Sequence, residues 1–164
     1  LLLKGALHYH GLVRVPFIWH DPGDDSRGGV NASLCGTLDI ANTILDRAAL
    51  QGPNGMQGSS LLPVIRGEKS GHDSLLIEEH QRRGYMGLKN NFRARSLITE
   101  DSRLTLYEGV DWGELYDLAK DPHEMNNLWD DPQSRDRRYE LTEKLTRKMM
   151  ELADASPLAT HHGP

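Results

Sequence analysis

A single cysteine, Cys35, is all that this 164-residue sequence contains, so no disulfide can close within it. That usage is compatible with a reducing compartment. No apolar run approaches the roughly 18 residues that a membrane-spanning helix needs. Leu1-Leu2-Leu3 is too short for a signal peptide, and no charged region precedes it. Positive charge is not in excess either. The formal net charge is -5, which argues against a general nucleic-acid binder. Arg135, Arg137 and Arg138 do cluster, but acids are interleaved with them, as on a solvated helix face. Internal repeats and low-complexity tracts are missing. What is present, 37% apolar and 26% charged residues, is a globular composition with enough length for one ordinary core.

Read in order, the chain starts with Lys4, His8 and His10 on a Gly-punctuated loop. The uninterrupted apolar run Val15 to Trp19 follows, and it reads as a buried strand of a parallel sheet. Asp21 to Gly29 is dense in turn residues; its Asp24-Asp25 pair has the ligand type for a hard cation, but with few other ligands evident it reads as exposed turn chemistry. A helix is expected to open at Thr37 or Gly36 and run to about Leu50. Its apolar face would be Leu38, Ala41, Ile44, Leu45, Ala48 and Ala49. Gly52-Pro53-Asn54-Gly55 stops it, and a short helical turn follows from Ser59 or Ser60 through Arg66. The polar stretch from Gly67 to His72 is the expected domain boundary.

Beyond that boundary the period becomes that of strands. Leu75 to Ile77 reads as one, and Gln81 to Arg95 as a long loop. Ala94 to Thr99 and Leu104 to Tyr107 read as a hairpin joined by Glu100-Asp101-Ser102-Arg103. Glu114 to Leu118 is a further strand, and the set suits a small antiparallel sheet. Asp131-Pro132 opens a last helix running to about Ala153, with Leu141, Leu145, Met149 and Leu152 as its apolar stripe. Glu140–Lys144 and Glu143–Arg147 are expected as i,i+4 ion pairs on its surface.

Four motifs then carry a resemblance. Lys4-Gly5, Tyr9, Gly11 and Arg14-Val15-Pro16 follow a K-G-x-x-x-Y-x-G-x-x-R-V-P pattern that resembles the lysine loop of the sulfatase family. Asp39 to Asp46 resembles that family's D-I-x-x-T-x-L-D helix, and Gly58 to Gly67 its G-x-S-L-L-P-x-x-x-G segment. Leu115 to Leu128 resembles L-Y-D-L-x-x-D-P-x-E-x-x-N-L. Their common order implies an α/β fold: the C-terminal part of an alkaline-phosphatase-like sulfatase fold, ending in a small antiparallel sheet with a packed C-terminal helix. Residues 1–72 would close the large α/β domain, and 73–164 would form the small α+β subdomain.

The resemblance implies sulfate-ester hydrolysis by a larger protein, with Lys4 binding the sulfate oxygens. An ammonium there supplies charge and three donors to a tetrahedral anion. His8 and His10 are secondary candidates, because i and i+2 share a face on an extended segment. Arg14 suits a buried ion pair as well as substrate contact. The family's nucleophile is a formylglycine made from C/S-x-P-x-R. Cys35 is followed by Gly36-Thr37-Leu38-Asp39 and does not fit, and Ser59-Ser60 lacks a nucleophile-elbow pattern. The D-H-G or D-N-G metal segment is also missing. A divalent cation, often calcium, would therefore have its ligands outside this chain, and the fragment alone is expected to be inactive.

The missing initiator Met and a motif that begins at residue 4 lead to the expectation of an N-terminal part of the same protein. The expected partner is a small-molecule sulfate ester, with no nucleic acid and no membrane; self-association is left open. Phosphonate or phosphodiester hydrolysis within the same superfamily, or a non-catalytic binding module, are the alternatives.

Overall fold

The computed structural model describes residues 7–23, 28–82 and 91–153. The chain forms two compact units: Leu1–Asp24 with Asp73–Lys148, and Asp25–His72 with Met149–Pro164. The expected first half, 1–72, is thus divided. Residues 7–23 belong with the sheet-bearing unit: His8 and Tyr9 bond to the strand residues Ser96 and Glu114, and His10 bonds to Glu124 in the turn after the last strand.

In that unit four strands make an antiparallel meander in the order β1-β2-β3-β4: β1 (Leu75–Gln81), β2 (Phe92–Ile98), β3 (Ser102–Tyr107) and β4 (Gly113–Asp117). The β2–β3 connection is tighter than the sequence suggests. Thr99 accepts the Ser102 amide on its hydroxyl at 3.0 Å and donates to Asp101 at 2.8 Å. Ser102 and Arg103 therefore belong to β3. Similarly, β1 extends to Gln81 and β2 starts at Phe92, which shortens the expected Gln81–Arg95 loop from both sides.

Strand alternation gives the sheet two different rows. Leu97, Leu104 and Leu115 stand opposite one another across three strands and form one core with Leu141 and Leu145 of α4 (Arg135–Glu151). Ser96, Thr105 and Glu114 form the neighbouring register row, and Arg103 stands opposite Tyr116. Both rows are buried, so β3 carries a fully buried arginine in a small antiparallel sheet.

Before α4 lies a 3-10 turn, Pro132–Ser134, with Asp131 accepting from the Gln133 amide and the Ser134 hydroxyl. Glu143–Arg147 pairs as expected, at 2.7 Å. Glu140 pairs with Arg137 and Lys144 with Asp73 instead, because these partners are also within reach.

Val15 to Trp19 is not a strand and is not buried. Ile18 is 88% exposed and Val15 58%. Pro16 has no amide to give a ladder, and no strand among the described residues pairs with the run. Just before it, His10–Val13 forms the four-residue helix α1, which the Gly-containing sequence does not signal.

The second unit holds α2 (Leu38–Arg47) and α3 (Leu62–Ile65). The helix position agrees with expectation, but its buried side does not. Leu38 and Ile44 are exposed, while Asp39 and Thr43 are the buried residues. The reason is polar. Asp39 accepts the Ser59 amide at 2.8 Å and the Gly36 amide at 2.7 Å, and Thr43 Oγ1 accepts the Leu61 amide at 2.9 Å. Gly58, at φ +91°, makes this approach: a Cβ there would stand 2.6 Å from the Leu38 carbonyl oxygen.

Candidate functional site

Arg103 is the centre of the site. It has no exposed surface. Its Nη1 donates to Glu114 Oε2 and to Thr105 Oγ1, both at 2.7 Å, and its Nε donates to Glu124 Oε1. The guanidinium carbon lies 4.7 Å from the ring centroids of both Tyr9 and Tyr116. Burial works against the Arg103 charge, but Glu114 and Glu124 outweigh it and hold the group above its ordinary value.

Local structure explains each partner. Period two puts Arg103 and Thr105 on one side of β3, with Glu114 facing Thr105 across the β3–β4 ladder. Glu124 belongs to the Asp121-Pro122-His123-Glu124 turn, where its φ of 54° is in the left-handed region. Asn127 fixes that turn to β4, accepting the Leu115 amide at 2.9 Å and donating to the Gly113 carbonyl at 3.0 Å. The fourth motif thus presents Glu124 to the buried cation, beside Glu114, which immediately precedes the motif on β4.

Three consecutive residues near the start of the described chain attach to this cluster. His8 Nδ1 lies 2.7 Å from Ser96 Oγ, which lies 2.6 Å from Thr105 Oγ1. Tyr9 donates its hydroxyl to Glu114 Oε1 at 3.1 Å. The His10 backbone amide donates to Glu124 Oε2 at 2.7 Å. Burial, then the Arg103 and Arg95 charges, lower the His8 pKa to about 4, so its imidazole is neutral near pH 7. Burial likewise raises Tyr9, Tyr107 and Tyr116. His8 Nε2, Arg103 Nη2 and the Tyr107 hydroxyl are buried without a hydrogen-bond partner among the described residues.

Of the residues singled out in the sequence, Lys4 lies outside the described residues, as does the Asp24-Asp25 pair. His8 and His10 are not presented as a joint pair. The His8 ring is buried on Ser96, while His10 meets the cluster through its backbone. Cys35 is a free, exposed thiol; desolvation, and then the Asp39 charge, push its pKa up, away from thiolate activation. Arg103, Glu114, Glu124 and Tyr9 are the residues that sequence reasoning missed as a group. The sequence pattern puts Glu114 in a strand and Glu124 in a motif, but nothing in it ties either to Arg103.

In the other unit, His72 Nε2 lies 2.9 Å from Asp39 Oδ2. That carboxylate also holds two backbone amides, so the pair closes the loops around α2. Among the described residues no three His, Cys, Asp or Glu side chains are grouped to hold a metal ion. No described helix is long and apolar enough to cross a membrane.

Residues 4–152 match the family described as N-sulphoglucosamine sulphohydrolase, C-terminal. The chain belongs to this family. Among its relatives, a Delta 4,5-hexuronate-2-O-sulfatase of Bacteroides thetaiotaomicron is 30% identical, over 100% of this chain and 36% of its own length. An N-acetylglucosamine-6-O-sulfatase of the same organism is 28% identical, over 91% of this chain and 27% of its own length. The chain therefore spans about a third of the length of these two relatives. A crystal structure of a candidate sulfatase from Bacteroides thetaiotaomicron is 29% identical with a TM-score of 0.77, covering 92% of this chain and 32% of that one. The fold is accordingly the C-terminal part of a sulfatase-type, alkaline-phosphatase-like fold, with its four-stranded antiparallel sheet and C-terminal helix.

Proposed function

We propose that this chain is the C-terminal portion of a metal-dependent sulfatase acting on a sulfated sugar, and that Lys4 holds the sulfate oxygens. The observation that carries the reading is the family match over residues 4–152, together with relatives named as sugar sulfatases. Sulfate transfer moves negative charge onto the leaving oxygen and the transferred group. A fixed ammonium lowers that barrier by acting where the charge develops. The described residues do not form a metal cage, so on this reading the divalent cation and the nucleophile belong to other parts of the longer protein. Residues 1–164 alone are then expected to show no turnover.

The test is Lys4→Ala in the longer protein, assayed on an aryl sulfate and an aryl phosphonate side by side. Loss of one donor to the developing charge predicts a drop in kcat/KM of about 10²–10³. Lys4→Arg keeps the charge on a planar fork of different shape and should rescue poorly. A Lys4→Ala enzyme with unchanged kcat/KM refutes the role of the lysine. A higher intrinsic rate on the phosphonate refutes the sulfatase reading.

A further inference from the structure

We propose that Arg103 is a positioning residue for the lysine loop, acting through residues 8 to 10. The inference rests on the reading of Lys4 as the sulfate-binding group. Lys4 precedes His8 by four residues, at most about 14 Å of extended chain. His8, Tyr9 and His10 are the anchored residues that follow it.

Each of residues 8, 9 and 10 reaches the same guanidinium by a different route. His8 does so through Ser96 and Thr105. Tyr9 does so by its ring face and through Glu114. His10 does so through its backbone amide and Glu124. These anchors lie 88 to 114 residues away in sequence, so tertiary folding alone creates them.

The chemistry points to geometry rather than adhesion. A buried ion cluster is a poor source of net stability, because apolar residues of similar volume often serve as well or better. What apolar residues do not supply is direction. A planar guanidinium fixes where two carboxylates stand, and those carboxylates fix a tyrosine hydroxyl and a backbone amide. Glu124 adopts its left-handed backbone at the point where one carboxylate bridges Arg103 and His10. Misplacing a catalytic group by about 1 Å costs on the order of 100-fold in rate, so such a brace acts directly on turnover.

The experiment uses the longer protein and two mild variants, since Arg103→Ala leaves two buried carboxylates unpaired and endangers folding. Tyr9→Phe keeps the ring over Arg103 and removes the bond to Glu114. Glu124→Gln keeps an acceptor for the His10 amide and removes the charge. Each is measured alone and combined with Lys4→Ala, with kcat, KM and the thermal midpoint recorded. Each should lower kcat/KM by on the order of 10–100-fold when Lys4 is present. In the Lys4→Ala background the loss should shrink to less than about twofold, since a group acting through Lys4 has nothing left to position. Equal losses in both backgrounds, or no loss at all, overturn the positioning role while leaving Lys4 itself intact. A Lys4→Ala enzyme as fast as wild type instead overturns the reading on which the role rests.

Discussion

Acidification from pH 7.5 to 5 should weaken the sheet unit through one buried side chain, His8. Its pKa is lowered to about 4 in the fold, against an ordinary 6.5. The folded state therefore binds the proton more weakly than the unfolded state. Stability is fully present above pH 6.5, falls as the unfolded imidazole takes up its proton, and levels off near pH 4. The full difference corresponds to about 3 kcal/mol, of which about 2 kcal/mol is lost between pH 7.5 and 5. Asp73 and Asp101 are lowered as well, from 3.8, so their contributions disappear at lower pH and do not overlap this window. Urea denaturation at fixed ionic strength, at several values between pH 7.5 and 5, measures the slope. His8→Gln keeps a polar partner for Ser96 and cannot titrate. Subtracting its slope from that of wild type cancels the other histidines. Equal slopes for the two proteins, or an NMR titration placing His8 near 6.5, would refute the reasoning.

Arg103→Met should destabilise the unit by about 3–5 kcal/mol, because Glu114 and Glu124 are left as unpaired buried carboxylates; denaturant midpoints measure this. Leu141→Ala should cost about 2–5 kcal/mol, since Leu141 is packed against Leu97, Leu104 and Leu115 with 1% of its surface exposed; thermal unfolding checks it. Gly58→Ala should destabilise the α2 unit by about 1–3 kcal/mol through a positive φ and a clash with the Leu38 carbonyl, with faster amide exchange at Ser59 as the local sign. Arg147→Ala breaks only an exposed pair and should shift stability by about 0.5 kcal/mol or less in the same melts.

Local chemistry was legible in the sequence. Asp131-Pro132 before a periodic run is a helix start wherever it occurs, and α4 follows it with Leu141 and Leu145 inward. The turn residues after α2 stop that helix, and alternation marked the later strands, because these signals operate over a few residues. The motifs disclosed the family for a related reason: each is a compact local structure with its own bonds, as Asn127 and Gly58 show.

Partner choice at long range was decided only by the tertiary structure. Apolar composition made Val15–Trp19 look buried, yet burial depends on what lies alongside, and the run is largely exposed. The apolar positions of α2 looked like a core face, but Asp39 and Thr43 face inward because distant amides need acceptors. Arg103 looked like a turn residue beside Glu100 and Asp101. It is buried because Glu114, Glu124 and Tyr9 arrive from other parts of the chain to surround it. Hydrophobic periodicity says which side of an element avoids water. It does not say which buried charge finds its counter-charge, since that pairing is made in space between residues that have no relation along the chain.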